Sequence, residues 1–339
     1  MGKLSTKNLK KMLNCIKKDR RVIIPPASGY DSGVHLMGDK YIVISTDPCL
    51  GVPQKWFGWL MIHYPSSDVS LFGAKPEFCS INLLGPPSTQ PQIFLDIMKQ
   101  ACEAADELDL AIVTGHTGTY NGLKTLIGVC TVYGKVDKDR LITPGRAKPS
   151  DHILCTKPIG LEIAVNLALT QKTLANKLFG TRRTKELSQF VQMQSCVKEA
   201  LILAEINGVH AMHDATEGGL MVALNEMAEA SNVGFKINFD KIPIIEEAYI
   251  LQEAFALSDE EILAMSSTGT IVASISPKAR KTVEQTMRKI SPHSSFLGSF
   301  TKDKQRILLN NGDKNLFPKK VNDPYVRILS GKYKPFTQG

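Results

Sequence analysis

The spacing of apolar residues along the first half of the chain predicts a mixture of helices and strands. Apolar residues recur at helical spacing over 5–18, which predicts an amphipathic helix there. Further strands are predicted at 41–45, 78–84, 110–113 and 124–136, and further helices at 56–73 and 89–108. Because proline lacks the N–H that a helix interior needs, we expect the second helix to break or kink at Pro65.

The second half shows the same mixture in a less regular order. Strands are predicted at 153–156, 233–239, 270–275, 296–300 and 306–309, and helices at 160–169, 185–206, 246–256 and 278–289. We expect the Pro-, Lys- and Gly-rich tail beyond them to be partly loose. The absence of a regular strand–helix alternation favours an α+β fold over a doubly wound sheet.

Length and composition predict two domains joined by a polar linker. The chain has 339 residues, enough for about two cores. The proline, glycine and charge content of residues 143–150 is typical of a linker, so we predict domains at 1–148 and 149–339.

The most informative stretch is a polar turn that opens into an amphipathic helix. Gly218 and Gly219 allow a backbone with φ > 0 and a close approach to a ligand. The helix start adds N–H groups and the positive end of a dipole, which together favour phosphate. Asp214 and Glu217 add the hard oxygens that Mg²⁺ accepts beside a phosphate. The alternative is an ordinary helix start, capped by Asp214 or Thr216 and shaped by the glycines.

The charge of the chain adds little to this interpretation. The net charge is +8, with basic residues concentrated near the two ends. A basic balance can indicate nucleic acid binding, but the basic stretches lack interleaved aromatic residues, so a solvated surface or nucleotide phosphates are favoured. No apolar run approaches the roughly 18 residues of a membrane span, and the N-terminal residues lack the core of a signal peptide, so we expect a cytoplasmic protein.

The cysteines argue against a zinc site. The seven cysteines form no C-x-x-C pair, and most lie among apolar residues, as reduced and buried cysteines do. Cys49 is the exception, because it follows Asp47 in a polar segment. It is either a catalytic thiol or a passive loop cysteine.

Several acids stand at predicted loop or element ends. Asp31 lies in a glycine-containing loop, Asp47 just after a strand, Asp68 beyond the predicted break at Pro65, and Asp214 before the double glycine. Carboxylates in such places suit a Mg²⁺–polyphosphate site, because the metal takes few protein oxygens and shares the phosphates. Each of them alone is also compatible with an ordinary surface turn.

The order and context of these residues resemble one superfamily, the PurM/HypE-like or AIR synthase-related proteins. This superfamily includes aminoimidazole ribonucleotide (AIR) synthase PurM, the hydrogenase maturation protein HypE, selenophosphate synthetase and thiamine-phosphate kinase. The matching pieces are residues 45–47, 67–74, 111–117, 157–160, 213–220 and 267–270. They occur in family order and cover nearly the whole chain.

The resemblance implies a two-domain PurM-like α+β fold that binds ATP and Mg²⁺. It implies an N-terminal barrel-forming domain that pairs in a homodimer, and a C-terminal α+β domain. The implied metal ligands are Asp47, Asp68 and Asp214. The other implied nucleotide-binding residues are Asp31, Thr114, Gly115, His116, Thr117, Gly160, Thr216, Glu217, Gly218 and Gly219.

The chain also departs from the family pattern. His116 stands in a predicted turn where the family usually has an acid, and Ser67 replaces the usual Asn. His116 is therefore the candidate catalytic residue, in contact with metal or phosphate, or else it only hydrogen-bonds within its loop. The chain ends without the cysteine that HypE uses, and no glycine-rich substrate loop follows Asp47.

Two function classes follow from the resemblance. The first is an ATP- and Mg²⁺-dependent enzyme, of ligase, cyclo-ligase or dehydratase type, that activates an amide or carboxyl-type oxygen. Its acceptor, a small molecule or a protein, is not defined by the sequence. The alternative is a HypE-like nucleotide-binding maturation or regulatory protein with slow hydrolysis or none.

Overall fold

The computed structural model describes residues 6–330, which divide into two compact units, 6–141 and 142–330. The first residues of the predicted linker pack within the second unit, where Thr143 and Pro144 are buried and the Ser231 hydroxyl donates to the Pro144 carbonyl oxygen (3.2 Å). Among the described residues, no helix is long and apolar enough to cross a membrane.

A six-stranded sheet forms the centre of the N-terminal unit. Its strands are β1 (Val22–Ile24), β2 (Gly33–Met37), β3 (Lys40–Cys49), β4 (Phe78–Gly85), β5 (Ala111–Thr119) and β6 (Ile127–Val136). Their order is β1-β2-β3-β6-β4-β5, and only β4 and β5 pair in parallel. The order is linear, so β1 and β5 are edges and the sheet does not close into a barrel within this unit.

Three helices accompany this sheet: α1 (Thr6–Leu13), α2 (Phe57–Leu71) and α3 (Pro91–Leu108). Helix α2 packs on β3 and β6, and α3 packs on α2. The two helices approach closely at Gly58, where a Cβ atom would lie 2.2 Å from the carbonyl oxygen of Ile97. Pro91 presets the backbone of the first helical turn of α3.

The predicted break at Pro65 is wrong. Helix α2 runs without interruption through Pro65, and every one of its residues except Tyr64 is buried. The apolar burial along the whole helix outweighs the single hydrogen bond that proline removes, which costs about 3 kcal/mol in an isolated helix interior.

Two other local predictions for this unit are also wrong. Asp47 does not follow its strand, because β3 continues through it to Cys49 by pairing with β6. Residues 114–118 are not a turn, because they belong to β5, which extends along the parallel neighbour β4. The first helix is shorter than predicted and ends at Leu13.

A seven-stranded sheet forms the centre of the C-terminal unit. Its strands are β7 (His152–Cys155), β8 (Val209–Asp214), β9 (Gly234–Asn238), β10 (Ile271–Ile275), β11 (Ser295–Thr301), β12 (Arg306–Asn310) and β13 (Asp313–Leu316). Their order is β13-β12-β9-β11-β7-β10-β8, and only β12 and β9 pair in parallel. Both sheets are thus mainly antiparallel, and the prediction of a two-domain α+β fold is confirmed.

Nine helices surround the second sheet in the described part of the unit. They are α4 (Leu161–Thr170), α5 (Lys172–Phe179), α6 (Thr181–Leu187), α7 (Val197–Ala204), α8 (Gly219–Ala230), α9 (Glu246–Phe255), α10 (Asp259–Leu263), α11 (Arg280–Ile290) and α12 (Tyr325–Leu329). The single helix predicted over 185–206 is wrong, because a short 3₁₀ turn and an extended residue separate α6 from α7.

The tail that was predicted to be partly loose contains regular structure as far as residue 330. Strand β13 and helix α12 lie in this segment, and the Ile328 side chain is fully buried. The Phe317 ring packs edge-on against Phe235, with the ring centroids 5.0 Å apart. The remainder of the predicted tail, residues 331–339, lies outside the described residues.

Replacing Gly58 with alanine should destabilise the N-terminal unit. The added methyl group would meet the backbone of α3, which cannot yield without separating the two helices. We expect a loss of about 1–3 kcal/mol in the free energy of unfolding, measured by urea denaturation. Gly122→Ala is the matched control, because a Cβ atom there would have no neighbour within 4 Å. Equal stability of the two variants would contradict the packing.

Candidate functional site

Two of the predicted acids of the N-terminal unit are joined by one hydroxyl group. Asp68 lies on α2 and is 5% exposed. The Ser45 hydroxyl of β3 lies 2.8 Å from Asp68 Oδ2 and 3.1 Å from the carbonyl oxygen of Asp31, and can donate to either. The shorter distance and the negative charge favour the Asp68 carboxylate as the acceptor, so Ser45 is a site residue that fixes the helix against β3.

Asp47 belongs to the same neighbourhood. It lies two residues after Ser45 on β3, so the two side chains leave the same face of the sheet. The structure thus places Asp31 and Asp68 beside Ser45 of β3, and Asp47 two residues further along the same strand. Carboxylate oxygens are the ligands that Mg²⁺ prefers, so these donors fit that metal. Ser45 is a polar residue at a buried strand position, and that pattern is the sequence signal that could have identified it.

The four candidate residues of β5 lie elsewhere on the sheet. Thr114, Gly115, His116 and Thr117 follow one another on the edge strand. Strands β6 and β4 separate β5 from β3, so the backbone of β5 is about 14 Å from that of Asp47. The structure therefore does not bring these residues next to the three acids of the same unit.

Two of these residues have structural partners. A Cβ atom at Gly115 would lie 2.3 Å from the carbonyl oxygen of Ile81, so the pairing of β5 with β4 requires glycine there. The exposed His116 ring has Nε2 2.6 Å from the hydroxyl oxygen of Tyr120. That hydrogen bond agrees with the structural alternative for His116, and its catalytic role stays a prediction.

The thiol of Cys49 is not activated. Its side chain is buried, and Sγ donates to the carbonyl oxygen of Phe57 at 3.6 Å. Burial raises the pKa of the Cys49 thiol to about 12. A nucleophilic cysteine requires a thiolate near neutral pH, so Cys49 behaves as a passive residue.

In the C-terminal unit, Asp214 ends strand β8 and is 4% exposed. The preceding His213 is also buried, with Nδ1 3.3 Å from Asp214 Oδ1 and Nε2 3.1 Å from Glu226 Oε2. The imidazole lies between the end of β8 and helix α8, and with a proton on Nδ1 it donates to the Asp214 carboxylate and orients it. Thr216 and Glu217 follow in the turn.

The double glycine has structural reasons of its own. Gly218 caps α8 with φ +85°, and Gly219 follows with φ +57°. The Gly219 N–H donates to the carbonyl oxygen of Thr216 at 2.8 Å. A Cβ atom at Gly219 would lie 2.4 Å from the carbonyl oxygen of Met265, so only glycine lets the turn approach that loop.

The anion at this helix start is supplied by the chain itself. The Gly218 N–H donates to Asp323 Oδ2 at 3.0 Å, and the Ser266 hydroxyl donates to the same oxygen. The sequence pattern predicted a phosphate at this place, whereas in the structure the Gly218 N–H is bonded to Asp323, a carboxylate more than 100 residues further along the chain.

Helix α4 begins in a comparable way. Gly160 caps it with φ +84°, and the Gly160 N–H donates to the Ser267 hydroxyl oxygen at 2.8 Å. The N–H and the hydroxyl of Thr268 both donate to Glu162 Oε2, at 2.9 and 2.7 Å. Three consecutive hydroxyl residues, 266–268, therefore join the starts of α4 and α8.

The pKa of the Glu162 carboxyl lies close to neutral pH. Burial is the main cause that raises its pKa to about 7, and the negative charges of Asp323 and Asp214 raise it further. The hydrogen bonds from Thr268 act in the opposite direction. Glu162 is consequently a buried acid that faces two other acids.

The sequence interpretation missed several of these residues. Glu162 carries no signal, because an acid in a first helical turn is usually exposed. Asp323 was assigned to a loose tail. Lys157 precedes the matched glycine, but its buried ammonium group is held by the Met193 and Ser195 carbonyl oxygens (3.0 and 2.6 Å) and by Glu199 (3.0 Å). No sequence pattern distinguishes Glu162 or Asp323, and Lys157 was matched only as part of residues 157–160.

The chain matches two family models in succession. Residues 29–136 match the AIR synthase related protein N-terminal domain, and residues 148–309 match the AIR synthase related protein C-terminal domain. These spans agree with the pieces on which the sequence resemblance rests.

The chain is also similar to curated proteins and to solved structures. A putative hydrogenase expression/formation protein of Methanocaldococcus jannaschii is 26% identical over 305 residues, which are 88% of each chain. Carbamoyl dehydratase HypE of Bradyrhizobium diazoefficiens is 27% identical over 272 residues, 77% of this chain and 74% of that protein. The crystal structure of hydrogenase maturation protein HypE in complex with ATP superimposes with a TM-score of 0.69, at 19% identity, over 93% of this chain and 91% of the other.

The raised pKa of Glu162 predicts a specific loss of stability with pH. Between its ordinary value of 4.5 and about 7, the folded chain holds a proton that the unfolded chain releases. The free energy of unfolding should therefore fall across this window as pH rises. Glu162→Gln should make that fall smaller, measured by urea denaturation at pH 5 and pH 8.

Glu260→Gln is the matched control, because Glu260 is an exposed acid in the first turn of α10. The control should keep the wild-type dependence on pH. Identical pH dependence in Glu162→Gln and wild type would show that Glu162 does not retain the proton.

Proposed function

Because the chain belongs to the AIR synthase-related family, we propose that it is an ATP- and Mg²⁺-dependent enzyme that activates an amide or carboxyl-type oxygen of its acceptor. Two similar proteins support this proposal. One is named carbamoyl dehydratase, and a carbamoyl group is an amide-type group. The other is a structure of HypE in complex with ATP.

One observation supports the proposal most directly. The Asp68 carboxylate is nearly excluded from water, lies within hydrogen-bonding distance of Ser45, and stands beside the strand that carries Asp47. A purely structural surface acid is normally exposed, whereas a metal ligand is fixed by neighbouring hydrogen bonds.

The proposed metal ligands are Asp47, Asp68 and Asp214. Mg²⁺ would neutralise phosphate charge and polarise the transferred group. The chain's own residues fix the ligands: Ser45 holds Asp68 in the N-terminal unit, and His213 orients Asp214 in the C-terminal unit. The Gly218 N–H is bonded to the Asp323 carboxylate. The other nucleotide-binding candidates, including Thr216 and Glu217, keep the roles that the resemblance implies.

A homodimer through the N-terminal unit is part of the proposal. Strand β5 is an open edge on which most side chains are exposed, Val113 among them. Natural proteins normally cover such an edge, because its N–H and C=O groups can pair with another chain. A covering copy would also bury His116, the proposed catalytic residue.

A nucleotide-binding maturation protein is the second candidate function. The similarity to a hydrogenase expression/formation protein favours it, as does a histidine where the resemblance leads us to expect an acid. This candidate differs from the first in turnover and not in nucleotide binding.

Removal of the Asp68 charge should weaken Mg²⁺–ATP binding. Asp68→Asn keeps the shape of the side chain and loses the negative charge that attracts the metal. We expect the Kd for ATP in the presence of Mg²⁺ to rise at least about tenfold, or about 1.4 kcal/mol, by isothermal titration calorimetry. Asp139→Asn is the matched control, because Asp139 is an exposed acid of the same unit.

Equal affinity in wild type and Asp68→Asn would refute the role of this carboxylate. Wild-type protein that binds Mg²⁺–ATP but releases no phosphate with amide or carboxylate acceptors would favour the maturation protein over the enzyme.

A further inference from the structure

The Asp323 carboxylate accepts hydrogen bonds from two separate segments as well as from its own. Oδ2 accepts from the Gly218 N–H at 3.0 Å and from the Ser266 hydroxyl. Oδ1 accepts from the Tyr325 N–H at 2.9 Å and from the more distant Ser266 N–H at 3.5 Å. One side chain thus fastens the start of α8 to the loop that follows α10.

The electrostatics of this position favour a negative charge. Gly218 is the N-cap of a 12-residue helix, whose first N–H groups carry the positive end of the helix dipole. A carboxylate there makes charge-assisted hydrogen bonds, which are about twice as strong as neutral ones.

The segment that carries Asp323 is itself anchored on both sides. Before it, Phe317 packs on Phe235, and after it Ile328 is fully buried. The Tyr325 hydroxyl oxygen accepts from the Asn166 side-chain amide of α4 at 3.0 Å. The Asp323 carboxylate therefore lies at the start of α8 on a segment that is packed in place on both sides.

A continuous series of bonds leads from Asp323 to Asp214. Asp323 holds Ser266, and the adjacent Ser267 donates its N–H to the carbonyl oxygen of Ala215 at 2.8 Å. Ala215 in turn donates its N–H to the Thr270 carbonyl oxygen at 2.8 Å. Ala215 directly follows Asp214, so both backbone groups next to this acid are held by the loop that Asp323 fixes.

We propose that Asp323 is a positioning residue, an internal anion that fixes the turn after β8 so that Asp214 presents its carboxylate to Mg²⁺. The proposal rests on the proposed function. The Gly218 N–H then binds a carboxylate of the chain itself and not a nucleotide phosphate.

Nucleotide binding with and without Mg²⁺ tests the proposal. Asp323→Asn removes the charge and keeps the size of the side chain. We expect the Kd for ATP to rise about tenfold when Mg²⁺ is present, as for other residues that orient metal ligands, and to stay unchanged without Mg²⁺. Asp313→Asn, in an exposed position of β13, is the matched control and should behave as wild type.

A double-mutant cycle separates positioning from a general structural effect. In an Asp214→Asn background, Asp323→Asn should have no further effect on the Kd, because the acid that it positions is already gone. The same loss in both backgrounds would overturn the proposal. Tighter ATP binding in Asp323→Asn would also overturn it, since the carboxylate would then be a competitor of phosphate.

Thermal unfolding checks whether the variant folds, and the wild-type Kd for Mg²⁺–ATP checks the proposed function. If Asp323→Asn does not fold, as judged by thermal unfolding, Ser266→Ala takes its place, because it removes one donor to the carboxylate and should give the same Mg²⁺-specific loss. Wild-type protein that does not bind Mg²⁺–ATP would overturn the proposed function and this inference together. Wild-type binding with an unaffected Asp323→Asn would overturn this inference alone.

Discussion

The hydrogen bonds of three consecutive residues, 266–268, hold two helix starts of the C-terminal unit together. They link the starts of α4 and α8 through Gly160, Glu162 and the Asp323 carboxylate. The Gly160 and Gly218 N–H groups, which lack partners within their helices, donate to Ser267 and to Asp323, while Thr268 and Ser266 donate to the Glu162 and Asp323 carboxylates. Since the turn after β8 is bonded to the same loop, the position of Asp214 depends on this set of contacts.

In the N-terminal unit a hydroxyl group also holds an acid, but there the two groups lie on a strand and on the helix packed against it. A serine hydroxyl on β3 holds Asp68, while the close packing of α2 on α3 at Gly58 determines where that helix lies on the sheet. In both units a short hydroxyl side chain thus determines the orientation of a carboxylate. Such side chains lose little conformational entropy on ordering, so they orient an acid at low cost.

The sequence predicted most elements, the α+β class and the family, because apolar periodicity and motif order are local properties. It failed where tertiary contacts outweigh local preference. Pro65 remains helical because its helix is buried, and His116 lies in a strand because β4 provides a parallel partner. Asp323 and Glu162 could not be found, since their roles come from contacts 105 and 106 residues away in sequence. The acids of the candidate site were recognised, whereas the groups that hold them were not.

Diffraction would show whether the chain binds Mg²⁺–ATP through Asp47, Asp68 and Asp214. Crystals grown with Mn²⁺ and a non-hydrolysable ATP analogue would locate the metal by its anomalous signal. We expect metal ions ligated by these three carboxylates and by phosphate oxygens, with Asp323 still on the Gly218 N–H. Metal ions on other side chains, or a nucleotide bound without contact to any of the three acids, would contradict it.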